Sequence, residues 1–380
     1  MSRFVVFLFL SGLARFKTPD YLPAPCRGPK IRVPIKRGEK TRIIHIMKTI
    51  DIHAHIVPQD FPADPSGGKN PRWPCMQCDA KDPTKATVMI GGKPFRPVDD
   101  RCWNVDRRLA SMAGDGVDIQ VLSPMPELLS YWFDVEETVV MGRHIAQTLR
   151  NMIDKAPAHF YGLGMVPLQD PDRAAEELVI LKRDYGLHGV EIGTHVMGRD
   201  LGDARFKVFF AAAQELGMAV FVHGLQPVGE ERWGSNPLMG GLLGYPLDSA
   251  IAAASLINAQ VMKAAPNLRL CFSHGGGSAM TVINRLQKVW KSAPQMAAAM
   301  PESPLDTARR FYYDTLVYEP ALLRAAIEMF GADRLMIGTD DPFPIRQQKP
   351  AEFLRECGVS VDDLPGMLGA NALRFLGVAR

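Results

Sequence analysis

The sequence predicts an α/β chain: a (β/α)8 TIM barrel with a hairpin-containing insertion after its first strand. Three observations carry that expectation. Eight short β-prone runs alternate with helical stretches, and the runs are apolar enough for strands covered on both faces. The first, fifth, sixth and eighth runs end in histidine or aspartate. A closed barrel brings such strand ends to one mouth, whereas an open doubly wound sheet leaves its outer strands apart.

The first strand is the apolar, β-prone lead from 47 to 50 running into Asp51-Ile52-His53-Ala54-His55. Residues two apart on a strand share a face, so both imidazoles can reach one point. Residues 56–103 form the insertion, where seven prolines and glycines between Pro58 and Pro74 exclude long helices. Thr87 to Ile90, then Gly91-Gly92, then Lys93 to Arg96 predicts a hairpin. Insertions at the carboxyl end of a barrel strand lie over active sites. Cys75-Met76-Gln77-Cys78 sits inside this segment without the second pair a structural zinc needs, and reads as ordinary loop thiols.

The remaining elements follow in order. Helices are expected over 106–113, 135–158, 170–185, 203–216, 245–265 and 320–329, with a last one from 363 to about 375. Gly217 is the C-cap expected for the fourth of these. Strands are expected over 116–123, 160–166, 189–193, 219–222, 268–272, 311–315 and 335–338. His223 ends the fifth strand of the barrel, Ser273-His274-Gly275-Gly276-Gly277 the sixth, and Thr339-Asp340 the eighth.

Composition narrows the function classes. With 47% hydrophobic and 22% charged residues, the chain reads as an ordinary globular protein, one that can bury a large core. Six cysteines in 380 residues are no disulfide framework, so a reducing, cytoplasmic setting is expected. The formal charge of +3 is uneven: residues 1–46 hold ten Lys or Arg against two acidic residues, leaving the body acidic. The basic leader lacks aromatic interleaving and helical periodicity, so neither nucleic acid nor membrane is expected as a partner. Its apolar start, Phe4 to Leu10, is too short to span a bilayer. Residues 1–46 read as a disordered or artefactual extension, with the body running from 47 to 380.

His53, His55, His223 and Asp340 make a nitrogen and oxygen ligand set for one divalent ion, with zinc the best fit. No lysine ends the fourth strand to bridge a second metal. His274 reads as a general acid/base acting on water at that ion, with ligation the other option, and the glycines after it allow close approach to substrate. Asp340 and His274 are thus the catalytic candidates. His195, just past the fourth strand, either binds substrate or hydrogen-bonds within its loop. Arg96 follows the hairpin turn over the mouth and could bind an anion. Arg285, in the helix after His274, reaches a mouth only if it points to one, its own or a neighbour's.

Several of these pieces occur together in a known pattern. They are Ile50-Asp51-Ile52-His53-Ala54-His55, Phe95-Arg96-Pro97-Val98, Gly193-Thr194-His195-Val196, Phe221-Val222-His223, Cys271 to Gly277, and Gly338-Thr339-Asp340 before Pro342-Phe343-Pro344. From about Lys48 to Leu376 the chain resembles the amidohydrolase-related family typified by 2-amino-3-carboxymuconate-6-semialdehyde decarboxylase. The resemblance implies a metal-dependent TIM barrel, in most members a non-oxidative decarboxylase, in some a hydrolase or hydratase. It implies zinc on His53, His55, His223 and Asp340, and activation of the metal water by His274. It also implies a substrate carboxylate on Arg96, and Arg285 lent across a homodimer interface. Two departures touch the substrate. His223-Gly224-Leu225-Gln226-Pro227 stands where the pattern has His-Pro-Trp-Asp-Met, and Asp341 stands where it has tyrosine. The expected activity is decarboxylation of a small unsaturated or aromatic carboxylate, with metal-dependent hydrolysis or deamination as the alternative. A binding barrel with a dead site is disfavoured by the complete ligand set.

Overall fold

A computed structural model describes residues 48–233 and 239–378; the leader lies outside them, and with it the expectation that it is disordered. The strands in chain order are β1 (Ile50–Ile56), β2 (Pro74–Cys78), β3 (Lys85–Ile90), β4 (Lys93–Asp99), β5 (Ile119–Pro124), β6 (Phe160–Gly164) and β7 (Gly189–Gly193). There follow β8 (His195–Val196), β9 (Arg199–Asp200), β10 (Ala219–His223), β11 (Arg269–Phe272), β12 (Tyr312–Asp314) and β13 (Leu335–Met336). The helices are α1 (Val105–Asp115), α2 (Val135–Lys155), α3 (Pro171–Tyr185), α4 (Lys207–Glu215), α5 (Tyr245–Asn258) and α6 (Val261–Ala264). After them come α7 (Ala279–Ser292), α8 (Pro294–Ala299), α9 (Pro304–Ala308), α10 (Pro320–Phe330), α11 (Pro350–Glu356) and α12 (Asn371–Leu376).

Eight parallel strands form one sheet in the order β1-β5-β6-β7-β10-β11-β12-β13. The sheet returns on itself: Ile52 N donates to Ile337 O at 2.9 Å, Asp340 N to His53 O at 2.8 Å and His55 N to Asp341 O at 2.7 Å. This is the TIM barrel the alternation predicts. The last strand is shorter than its apolar run because residues 337–341 pair with β1 through these separate bonds.

Two apolar layers flank the sheet. Inside, Ile50, Ile52, Val121, Leu163, Phe221 and Cys271 pack on Phe375 and Leu376 of α12, which closes the end opposite the mouth. Outside, Val190, Ile192, Val220, Val222 and Phe272 face the helices. The register of β1 on β5 shifts between Asp51 and Ala54. Such a bulge changes which residues face inward. Hence Ile50 and Ile52 fill the interior below, while His53 and His55 face it above.

The helices obey local rules. Asn104 caps α1 through bonds to Asp106 N and Arg107 N, Asp170 caps α3, and Gly186 ends α3 in the left-handed region. The expected 245–265 helix is two helices, broken at Gln260, whose φ is 52°. The run Gly240–Asn258 is long and apolar enough to cross a membrane by composition. It is laid on the barrel instead, with Ala250, Ala253, Leu256 and Ile257 buried.

The insertion corrects the expected hairpin. β3 and β4 pair as predicted, and β2 adds a third antiparallel strand. Cys75 and Cys78 lie on that strand, three residues apart and therefore on opposite faces, and both are exposed thiols.

Candidate active site

The carboxyl end of β1 places His53 and His55 side by side, with Nε2 atoms 3.0 Å apart. Each ring is oriented from its other nitrogen. His53 Nδ1 lies 2.7 Å from Asp314 Oδ2, His55 Nδ1 3.0 Å from Pro124 O, and His223 Nδ1 2.9 Å from Gly224 O. Bonds to oxygen acceptors at Nδ1 place a proton there, so each ring in its neutral form keeps its Nε2 as a lone pair. In that form the lone pairs of His53 and His55 lie 3.0 Å apart and repel, and His223 Nε2 is buried with no partner. Asp340 Oδ1 lies 3.2 Å from His55 Nε2 and 3.5 Å from His53 Nε2. The four ligand atoms of His53, His55, His223 and Asp340 all fall within 4.8 Å of one another. A divalent cation resolves the repulsion and fills the orphaned acceptor, so the residues fit a metal ion.

Asp314, which the sequence reading left as a plain strand residue, ties this site together. It ends β12, is fully buried, and accepts from His274 N at 2.9 Å and Gly275 N at 2.7 Å besides holding His53. One carboxylate thus orients a metal ligand and fixes the turn carrying His274. Burial is the largest influence and works to raise its pKa, but the His53 bond, the charges of His53 and His274 and the Gly275 N–H together outweigh it and hold the carboxyl below its usual value. His274 has φ 55° and its ring centroid lies 5.0 Å from that of His223 and 5.2 Å from that of His53. Its Nδ1 is buried without a partner. The imidazole therefore has a nitrogen left for a reacting group.

Beneath the ligands, Asp51 accepts from Thr339 Oγ1 at 2.6 Å, Thr339 N at 3.0 Å and His53 N at 3.1 Å. It clamps β1 to the segment that delivers Asp340. Glu191 of β7 faces the interior, fully buried, with Oε2 3.7 Å from His55 Nδ1, and burial pushes it up to about 7. Nothing in the sequence distinguished it from a solvated acid except its place in an apolar strand.

The walls of the mouth differ from expectation. Asp341 does not line it. Its carboxylate is buried among Arg101 at 3.5 Å, Arg108 at 3.6 Å and Arg346 at 3.6 Å. Arg108 in turn donates to His55 O at 2.6 Å. The aromatic surface missing after β10 is supplied by Tyr245, whose ring lies 5.5 Å from His223, and by Phe343, 5.4 Å from His55. Gly224 permits this, since a Cβ there would lie 2.6 Å from the Tyr245 Cβ.

Arg96, on β4, stands over Phe343 with 5.1 Å to the ring centroid and pairs with Glu127. Arg285 is exposed on α7. His195 has both nitrogens engaged: Nε2 with Gln226 O at 2.9 Å and Nδ1 accepting from Gly198 N at 3.1 Å. The first of these bonds ties the loop after β7 to the loop after β10.

A family model described as amidohydrolase matches residues 50–378. The chain belongs to the amidohydrolase family. Among its relatives, 2-amino-3-carboxymuconate-6-semialdehyde decarboxylase of Dictyostelium discoideum is 32% identical over 87% of this chain and 91% of its own length. The fold is shared with 5-carboxyvanillate decarboxylase of Sphingomonas paucimobilis, with a TM-score of 0.73 at 24% identity over 88% of this chain and all of the other. It is shared also with a Polaromonas dihydroxybenzoic acid decarboxylase, solved with manganese and the inhibitor 2-nitroresorcinol. That pair has a TM-score of 0.71 at 18% identity, over 88% of this amidohydrolase and 98% of the other chain.

Proposed function

We propose that this amidohydrolase is a metal-dependent, non-oxidative decarboxylase of a small unsaturated or aromatic carboxylic acid. The observation that carries the reading is the convergence of the Nε2 atoms of three histidines and the Asp340 carboxylate beside a half-buried His274 with a nitrogen to spare. Similarity to decarboxylases over most of the chain supports it.

His53, His55, His223 and Asp340 would hold one divalent ion, which we assign as zinc from the donor set of three imidazoles and a carboxylate. When bound, the ion supplies Lewis acidity to the substrate's oxygen atoms. The chain's residues do the rest. Asp314 fixes His53 and the His274 turn, so that the imidazole of His274 can hold a proton or give one to the substrate carbon as carbon dioxide leaves. Tyr245 and Phe343 wall the reacting carbon from water. Arg96 and a second copy's Arg285 supply positive charge for the substrate carboxylate. His195 positions the two loops.

A homodimer is part of this proposal. Leu243, Leu247 and Ile251 recur at four-residue spacing and are about two-fifths exposed, as is Val289 on α7, the helix packed on α5. Arg285 lies one turn before Val289 on the same face. An apolar stripe flanked by arginine suits a self-complementary contact. We place the protein in the cytoplasm, where the free thiols of Cys75, Cys78 and Cys102 would stay reduced.

The deciding experiment incubates metal-loaded protein with carboxylated muconates, hydroxybenzoates and aminobenzoates, and measures the gas and the base released. Carbon dioxide is expected. Ammonia, or a ring-opened acid without carbon dioxide, would move the protein to the hydrolases. Elemental analysis should give about one ion per chain, and two would overturn the mononuclear assignment.

A further inference from the structure

Three successive barrel strands, β11, β12 and β13, are each followed at the mouth by a non-glycine residue in the left-handed region. His274 has φ 55°, Tyr318 59° and Asp340 65°. The first is the acid/base and the third a metal ligand; the chemistry above gives the second no part. A left-handed backbone strains a bulky residue, and such strain persists where the surroundings impose it. Here the surroundings are the site itself. Asp314 Oδ1 accepts from Leu316 N at 3.1 Å and from Gly275 N at 2.7 Å, so one oxygen fixes both the loop after β12 and the His274 turn. Val317 packs on that turn, where a Cβ on Gly275 would lie 2.4 Å from its Cγ1. Beyond it, Glu319 N donates to Val317 O at 2.7 Å, and the Glu319 side chain caps α10 through Ala321 N. The chain therefore reverses at Tyr318, a turn that glycine would make without strain.

We infer that Tyr318 is a specificity-determining residue that limits substrate size: its ring takes the place a second fused ring would need and confines the site to single-ring or open-chain acids. The limit deepens the decarboxylase reading and rests on it for the carboxylate that anchors a substrate at the metal ligands. β12 stands between β11 and β13, so the sector of the mouth between His274 and Asp340 belongs to the loop that carries Tyr318. Tyr318 is 46% exposed, a rim residue rather than a core one. Burial, then the carboxylates of Asp340 and Asp314, push its hydroxyl pKa up, which sets the side chain toward the metal end of the mouth and not the outer surface. With Asp314 holding the loop on one side and the α10 cap on the other, the wall does not yield as a free loop would. A substrate too large for the sector meets overpacking, which a close-packed wall does not absorb.

The test reads binding, not turnover. Metal-loaded protein is titrated calorimetrically with 2-hydroxybenzoate and with 1- and 3-hydroxy-2-naphthoate, which carry the same groups on two fused rings. Wild type should bind the benzoate at least about tenfold more tightly than either naphthoate. Tyr318→Gly removes the ring and suits the left-handed backbone. It should bring one naphthoate or both to within about twofold of the benzoate, and its thermal midpoint should equal or exceed that of wild type. Tyr318→Phe keeps the size and should keep the wild-type ratio. Equal wild-type affinity for a naphthoate overturns the inference with no variant needed. So does a folded, metal-holding Tyr318→Gly protein with the wild-type ratio, or failure of 2-hydroxybenzoate to bind wild type at millimolar concentration. A Tyr318→Gly midpoint about 5 °C or more below wild type would make Tyr318 a structural residue. Loss of the ratio in Tyr318→Phe would assign the effect to the hydroxyl, and either result refutes the size limit. Missing carbon dioxide release would instead sink the decarboxylase reading and leave the binding ratio standing.

Discussion

Asp314 carries more of the site than any residue the sequence singled out. Its two oxygens hold the His53 imidazole and the backbone N–H groups of His274 and Gly275. Asp314→Asn keeps the shape but puts a donor where acceptors are needed. It should weaken metal binding by about 10- to 100-fold, the usual effect of losing a ligand's orienting partner. Competition with a calibrated chelator measures this, and unchanged affinity would make Asp314 a mere strand end. His274→Ala should leave metal content intact and lower turnover by about 10²- to 10⁴-fold. Loss of metal in that variant would show His274 to be a ligand. Gly224→Ala drives a methyl group to 2.6 Å from the Tyr245 Cβ, so it should displace that wall and depress both stability and turnover. A thermal melt and an assay of one preparation report both. The four ligands were legible because histidines are few and their strand ends share a barrel mouth. Asp314, Glu191 and Glu127 were not, because an acid in a sequence looks solvated until its neighbours in space are known.

Elements were legible where one period dominates. β7 falls on its expected residues, and α2 starts and α3 ends where predicted, because runs such as Gly189-Val190-Glu191-Ile192-Gly193 leave one reading. β2 escaped because Pro74, Cys75 and Gln77 give no alternation; its pairing with β3, not its propensity, makes it a strand. The break at Gln260 escaped because tertiary packing, not a glycine or proline, sets it. The role of Asp341 is likewise tertiary: it joins Arg101 of the insertion, Arg108 of α1 and Arg346 beyond β13. Arg101 also donates to Pro342 O at 2.9 Å. The cluster therefore fastens the insertion sheet, with Arg96, to the segment that bears Asp340. Asp341→Ala leaves buried arginine charge uncompensated and should cost about 3–5 kcal/mol of stability. Urea titration measures that cost. Limited proteolysis should then cut first between residues 56 and 103. Wild-type stability in the variant would remove the cluster from the account of how the sheet is held.

At the scale of the whole molecule, the cation that the described residues of one chain set over the mouth, Arg96, is already paired. Arg285 is exposed on α7, beside an apolar stripe that one chain leaves uncovered. Both features find a use if two chains pack through α5 and α7 and each lends Arg285 to the other. Two-fold symmetry then gives every dimer two composite sites, each with its own His274 and its partner's Arg285. Arg285→Ala and His274→Ala should each be nearly inactive when alone. Mixed and allowed to exchange subunits, half of the dimers become heterodimers under random pairing. In each heterodimer one site carries both lesions and the other carries neither. Activity should return to about a quarter of wild type, with no new contact formed. A chain that used its own Arg285 would give no recovery, because every site in the mixture would still lack one group. Mass measurement of the exchanged dimers separates that result from a failure to exchange, and a monomeric protein would refute the lent arginine at once.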